Sequence, residues 1–449
     1  MKPLTFAIFA SLFLLIGFHT SQALSYPPPS GNIALYGHLT TTCIPHNGGT
    51  VYLSISLDVS DFPLPARAYQ PMNIAVVLDR SGSMADERKI DFAKQSICAL
   101  VDRLSTNDYL SIVVYDDRIE TLLPNQRVKD KSYIKRLVQN VYPRGSTNLG
   151  GGMEEGFRQI ERNFRQEYIN RVILLSDGLA NQGITDPVQL DRIASQYRRR
   201  SISLSTIGVG LDYNENLMLG LAEHGGGNYY FVESPVQLAS ILEKELNGMS
   251  YTVARDARIE LTLGSGVTAG DVIGCERRQE TDRLVIPVGD LLATDHREYT
   301  VQLNVGEGSG TRHIATGVLR FSNERELAIR TPKFSTDIRY TDDAAELKRG
   351  VDWNTQGKVD IAVSTKSVER AMEALDAGRK DEAEATLKEA AGRLQSSSSL
   401  VNSPAAAPAI EEQIRQLESY SKDIKTDSSD MRKVKKSLQY QNYRTQKKK

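Results

Sequence analysis

The sequence predicts an α/β protein: a doubly wound, mostly parallel sheet inserted in or flanked by a β-sandwich, plus a C-terminal helical region. Three observations point there. Between residues 71 and 250, apolar strands alternate with amphipathic helices, the pattern of a parallel sheet covered on both faces. On either side, strands recur with period-two alternation and without helices, the pattern of a sandwich. Beyond residue 341 the periodicity is helical. A chain of 449 residues is also too long for one core, so several domains are expected.

Met1-Lys2 precedes an apolar run from Leu4 to Phe18, and Ser21-Gln-Ala23 supplies small residues at cleavage spacing. This predicts a secretory signal peptide over 1–23 and an exported protein, periplasmic or extracellular. No cysteine follows the apolar run, so lipid attachment is not indicated, and the mature chain has no stretch long enough to span a bilayer. In residues 24–70 a Tyr26-Pro-Pro-Pro-Ser-Gly31 lead-in is followed by a weak strand over 33–42. A turn at His46-Asn-Gly-Gly49 leads to a second strand, in which Val51, Leu53, Ile55, Leu57 and Val59 alternate with polar residues. Two strands cannot bury a face alone. They are expected to contribute to the sandwich formed by residues 251–341, which makes the α/β segment an insertion.

Within residues 71–250 the strands fall at 74–78, 110–115, 172–175, 202–209 and 229–232, with a closing helix over 235–246. In residues 251–341 Ala257, Ile259, Leu261 and Leu263 alternate, as do Tyr299, Val301, Leu303 and Val305, with further strands at 284–288, 314–321 and 327–330. Residues 342–430 read as helical. Ala371 to Leu394 forms two helices joined around Gly378, similar to one helix pair of a tetratricopeptide-type repeat; one pair makes no solenoid, so an α-hairpin packed on the body is expected. Ser- and Ala-rich residues 396–408 read as a linker before a last helix over 410–424. The tail, 431–449, carries many Lys and Arg, no acid, and Tyr440 and Tyr443. It reads as a solvated end able to make a weak contact with an acidic envelope surface.

With 55 Lys and Arg against 56 Asp and Glu, the formal charge of −1 argues for neither nucleic acid nor membrane as partner. The three cysteines cannot all pair. Cys98 lies on the apolar face of the first α/β helix and reads as a buried free thiol; a Cys43–Cys275 disulfide is left open.

Chemistry concentrates at three strand ends. Asn73-Ile-Ala-Val-Val-Leu-Asp79 is an apolar strand that stops in an acid, and Ser81 and Ser83 follow before the helix carrying Ile90, Ala93 and Ile97. Open α/β sheets bind ligands at the carboxyl ends of their strands. One carboxylate and two hydroxyls suit a hard cation such as Mg²⁺. Asp79-Arg-Ser81-Gly-Ser83 resembles the Asp-x-Ser-x-Ser signature of von Willebrand factor type A domains, which opens their metal-ion-dependent adhesion site. That family also uses a threonine from a second loop and an aspartate from a third. Thr147, in Arg144-Gly-Ser-Thr-Asn-Leu-Gly-Gly-Gly152, and Asp177, ending Val172-Ile-Leu-Leu-Ser-Asp177, match. Ser176 stands where many members have threonine, a position expected not to touch the ion.

The resemblance implies that Asp79, Ser81, Ser83, Thr147 and Asp177 surround Mg²⁺ (or Mn²⁺ or Ca²⁺), with an Asp or Glu of a protein partner completing the shell. Glycines 82, 145, 150 and 178 would let the loops approach the ion, and helix N-termini after Ser83 and Thr147 would favour an anion. Simple helix capping by Asp79, Ser81 and Ser83 would not predict Thr147 and Asp177 at two other loops. The glycines near Thr147 lack a phosphate loop's Gly-Lys-Ser/Thr ending. His224 reads as a helix end, with no nucleophile beside it. The expectation is a non-enzymatic, metal-dependent adhesion or assembly module of the cell envelope. A metal-assisted hydrolase and a metal-independent scaffold are the alternatives. The layout is similar to that of exported bacterial proteins of this family and, over the metal domain and loosely beyond it, to inter-alpha-trypsin inhibitor heavy chains.

Overall fold

The computed structural model describes residues 32–60, 71–250, 252–274, 278–279, 283–293, 295–322, 331–401, 406–426 and 430–447. The signal peptide, the strand expected at 327–330 and Cys275 lie outside them.

The α/β domain is a six-stranded sheet in the order β6-β5-β4-β7-β8-β9. Its strands are β4 (Met72–Asp79), β5 (Tyr109–Tyr115), β6 (Ile119–Arg127), β7 (Ile169–Ser176), β8 (Ser203–Val209) and β9 (Gly226–Val232). All neighbours are parallel except β5 and β6. β4 and β7 are buried along their whole length, which explains their continuous apolar runs. β6 escapes the sequence pattern because it lies at an edge, where alternation is weak and Pro124 is tolerated.

Helices α1 (Lys89–Arg103), α2 (Lys131–Gln139) and α6 (Leu238–Ser250) cover one face through Ile97, Val138 and Leu242. Helices α3 (Leu149–Arg162), α4 (Pro187–Arg198) and α5 (Glu215–Gly225) cover the other through Phe157, Leu190 and Leu221. The sheet thus has two dry sides, and its carboxyl edge is left to loops.

Two further sheets form the sandwich. One has the order β1-β3-β14-β11, from β1 (Asn32–Leu39), β3 (Gly49–Ser60), β11 (Val267–Ile273) and β14 (His296–Val305). The other runs β12-β13-β10-β15-β16-β2, with β2 (Cys43–Ile44), β10 (Thr252–Leu263), β12 (Arg278–Gln279), β13 (Leu284–Leu292), β15 (Thr311–Arg320) and β16 (Lys333–Tyr340). β3 pairs antiparallel with β14, with Leu53 opposite Val301 and Ile55 opposite Tyr299. Strands from before and after the α/β domain therefore share one sheet and one core, with Leu57, Ile259, Ile286 and Leu303 inside it.

The helical region contains α7 (Ala344–Gly350), α8 (Trp353–Asp376), α9 (Lys380–Ser398), α10 (Ala406–Lys425) and α11 (Met431–Lys447). α8 lies against β3 and β11, so Ser54 and Ser56 are buried although they alternate with the core face. Two expectations are corrected here. The linker expected over 396–408 is shorter than its composition suggests: among the described residues 396–398 belong to α9 and 406–408 to α10, while 399–401 are non-helical, and Val401, Ala406 and Ile410 enter a core. Residues 431–447 of the basic tail are not a solvated end. α11 packs on the α/β domain, with Tyr440 and Tyr443 edge-on to the Tyr229 ring. Cations in its first turns pair with acids of the α/β domain, Lys433 with Glu233 at 2.6 Å, Lys435 with Glu215 at 2.8 Å and Arg432 with Asp212 at 3.0 Å.

Cys43 is a free, buried thiol near the Arg339 guanidinium, and Cys98 is free but partly exposed rather than buried, 3.5 Å from the Gln139 amide. Among the described residues no helix is long and apolar enough to cross a membrane.

Candidate metal centre

Three loops leave the carboxyl ends of central strands and meet. The first follows β4. Arg80 N–H donates to the Tyr115 carbonyl at 2.9 Å, which continues the strand pairing past Asp79. Residues 82–88 then form a short 3₁₀ segment, kinked at Asp86 and Glu87, and α1 begins only at Lys89. The expected helix N-terminus directly after Ser83 is therefore corrected. Glu87 and Arg88 are left-handed (φ 50° and 59°), a conformation that continues no helix and that carried no glycine signal. Ser81 makes no side-chain cap, so its hydroxyl is not spent on the backbone there.

The second loop runs from Arg144 to Asn148, where Asn148 caps α3 by accepting from Gly151 N–H. It is pinned to the first loop twice, Arg144 N–H to the Arg80 carbonyl at 2.7 Å and Gly82 N–H to the Gly145 carbonyl at 3.2 Å. Gly145 has φ +70°, and a Cβ there would come within 2.3 Å of Asp117 Oδ1, so this turn requires glycine. Of the other three glycines expected to permit the loops, none needs positive φ. The third loop, after β7, is tied to the second by Asn181, whose Oδ1 accepts from Thr147 N–H at 2.9 Å.

The structure brings together all five residues singled out in the sequence. Asp79 Oδ1 accepts from Ser81 N–H at 2.8 Å. The Ser81 and Ser83 hydroxyls are 3.1 Å apart, and Ser83 donates to Asp177 Oδ1 at 2.8 Å. Thr147 faces the same point, for a Cβ built on Gly178 would lie 3.4 Å from Thr147 Oγ1, 3.6 Å from Ser83 Oγ and 4.0 Å from Ser81 Oγ. Asp79, Ser81, Thr147 and Asp177 are buried, while Ser83 and Gly178 are half-buried and form the opening. Ser176 donates to Asp79 Oδ2 at 2.8 Å, holding that carboxylate from behind.

Burial, aided by the negative charge of Asp177, pushes the Asp79 carboxyl up to about 6, against the opposing hydrogen bonds from Ser81 and Ser176. A divalent cation would supply the missing counter-charge. Three hydroxyls and two carboxylates form a hard-oxygen set that fits Mg²⁺, Mn²⁺ or Ca²⁺. Among the described residues no cluster of three or more His, Cys, Asp or Glu exists, so a softer nitrogen or sulfur site has no such donors. Asp79, Ser81, Ser83, Thr147 and Asp177 are the residues that would hold the ion, and it would supply an electrophilic position for an anionic oxygen.

Sequence reasoning missed two supports. Asp116, fully buried, accepts from Arg80 Nε at 2.7 Å, from Arg144 Nε at 2.8 Å and from Arg118 N–H at 2.7 Å. Burial opposes its charge, but the Arg144, Arg118 and Arg80 hydrogen bonds prevail and lower its carboxyl below the usual value. Arg80 and Arg144 belong to the first and second loops, so one carboxylate clamps both. The second is Lys89, whose Nζ donates to Asp177 Oδ2 at 2.8 Å inside the domain. Both residues lack a local pattern; only an acid at the end of a second strand, β5, hints at Asp116. His224 sits in the last turn of α5, at the opposite edge of the sheet from the three loops, 2.8 Å from the Gly220 carbonyl. That amino-terminal edge faces the sandwich across a cleft of about 370 Å³ lined by Gln166, Arg198, Arg255 and Asp290.

Residues 73–244 match the model of the von Willebrand factor type A domain. A segment of 209 residues, 46% of this chain, is 32% identical to the uncharacterized protein YfbK of Escherichia coli (strain K12), of which it covers 36%. Inter-alpha-trypsin inhibitor heavy chain H3 of Rattus norvegicus is 26% identical over 212 residues, 43% of this chain and 24% of that one. The chain thus spans about a quarter to a third of these relatives' lengths. The solved structure of a von Willebrand factor type A protein from Catenulispora acidiphila superposes with a TM-score of 0.68 over 88% of this chain and 90% of that one, at 17% identity, a likeness of fold.

Proposed function

We propose that residues 73–244, a von Willebrand factor type A domain, work as a divalent-metal-dependent protein-binding module of an exported cell-envelope protein. The module captures its partner by coordinating an Asp or Glu side chain through Mg²⁺, or Mn²⁺ or Ca²⁺, held by Asp79, Ser81, Ser83, Thr147 and Asp177. The observation that carries this reading is the convergence of the Thr147, Ser83 and Ser81 hydroxyls on the Gly178 position, with Asp177 bound to Ser83 and Asp79 held by Ser81 N–H and Ser176. Hydroxyls hold a cation without neutralising it, so an ion there keeps affinity for an incoming carboxylate. His224 lies in the last turn of α5, at the other end of the sheet from the oxygen set, and adhesion or assembly is the reading taken over hydrolysis.

Calorimetric titration with Mg²⁺ tests the reading. Asp79→Ala should lose measurable Mg²⁺ binding while its circular dichroism spectrum stays that of the wild type. Equal affinity in the two proteins would reject the site.

A further inference from the structure

We propose that Lys89 is a built-in counter-charge that makes this site demand an anionic ligand. The inference rests on the functional reading above and concerns a residue outside its oxygen set. Lys89 Nζ lies 2.8 Å from Asp177 Oδ2, with both side chains buried, 3% and 0% exposed. Ser83 occupies the other oxygen of Asp177 at 2.8 Å. The lysine is delivered there by the backbone. Two successive left-handed residues, Glu87 and Arg88, turn the chain immediately before it, so that it is the first residue of α1. Its stem lies along Gly210, where an added Cβ would come within 3.1 Å of Lys89 Cε. Asp212 stands 3.8 Å from the ammonium, half exposed, and also pairs with Arg432 at 3.0 Å, which Asp430 shares at 3.4 Å; farther off and solvated, it offsets the lysine's charge less than buried Asp177 does.

The consequence is electrostatic. Without the lysine, Asp79 and Asp177 would together neutralise a divalent ion. With it, the protein brings one net negative charge, and the bound ion keeps a full positive charge in a buried, low-dielectric setting where charges interact strongly. Such an ion binds weakly alone and gains most from a carboxylate brought by a partner. Metal and acidic ligand then raise each other's affinity by the same factor, and a neutral oxygen ligand is discriminated against. Lys89 therefore sets specificity from behind Asp177 without touching the partner.

The test uses the full chain, Mg²⁺ alone and acetate as the carboxylate probe. Wild type should bind Mg²⁺ more tightly when acetate is in excess; Lys89→Met, which keeps the stem and removes the charge, should bind Mg²⁺ at least tenfold more tightly without acetate and respond less to it. Lys89→Arg should behave as wild type. Mg²⁺ should also raise the melting temperature of Lys89→Met more than that of wild type, since the metal replaces the missing cation beside Asp177. Wild-type Mg²⁺ affinity that ignores acetate overturns the proposal, whatever the folding of the variants. A folded Lys89→Met that binds Mg²⁺ no more tightly than wild type overturns it too, leaving the metal site intact. Absence of Mg²⁺ binding by wild type overturns the functional reading and this inference together.

Discussion

Asp79 has both oxygens engaged by protein donors, yet its carboxyl is pushed up to about 6 from an ordinary 3.8 because burial and Asp177 outweigh those donors. The fold thus favours the protonated form. The stability this lends the metal-free protein is complete below about pH 4 and is lost as pH rises through about 6, an effect of about 3 kcal/mol. In EDTA, Asp79→Asn should flatten the fall in melting temperature across that window; a variant that falls as steeply as wild type would contradict the assignment. Mg²⁺ needs the carboxylate, so its affinity should drop as pH goes below about 6. Asp116 makes a second prediction at this scale. Asp116→Ala leaves the buried Arg80, whose side chain is 7% exposed, with Glu120 as its remaining acid partner at 2.8 Å, and should cost about 1–3 kcal/mol in urea denaturation. It should also weaken Mg²⁺ binding by loosening two loops at once; unchanged stability would show that the clamp carries nothing. Asp79, Ser81, Ser83, Thr147 and Asp177 were legible because spacing and strand ends mark them. Asp116 and Lys89 were not, because their partners lie in other loops and no local periodicity encodes a clamp or a counter-charge.

At the scale of elements, the central strands and their helices could be read from periodicity, since β4 and β7 are buried on both faces and the helices on one. What escaped has physical causes. β6 is an edge strand with a proline, the start of α1 is set by two left-handed non-glycine residues, and α11 hides its contact residues among lysines and arginines. One buried network fastens α6 to the sheet. Glu245 accepts from Arg171 at 2.6 Å, from Tyr230 at 2.7 Å and from Asn228 at 2.7 Å. Burial opposes its ionisation, but Arg171 and these hydrogen bonds lower the carboxyl to about 2. Glu245→Gln should destabilise the protein by about 3 kcal/mol while leaving Mg²⁺ affinity unchanged, because the network sits at the amino-terminal edge of the sheet. A parallel loss of metal affinity would show that α6 and the metal loops are coupled.

At the scale of the molecule, the α/β domain interrupts a sandwich whose sheet is closed by β3 on β14. Alternation in both flanks made the strands legible; their partnership across the domain followed only from the need of two strands for company, and the role of α8 as a cover for Ser54 and Ser56 was not visible at all. Removing residues 24–60 should lower the melting transition of the sandwich, and an unchanged transition would mean that β1 and β3 are dispensable to it. The frame leaves the metal loops at the edge of the α/β sheet away from the sandwich, where a partner can reach them. The most direct test of metal-dependent capture is retention of partners from an envelope extract by immobilised wild-type protein and Asp79→Ala, each in Mg²⁺ and in EDTA. Metal-dependent capture requires a partner retained by wild type in Mg²⁺ and not in EDTA; the same partner held equally in EDTA, or by Asp79→Ala, would contradict it.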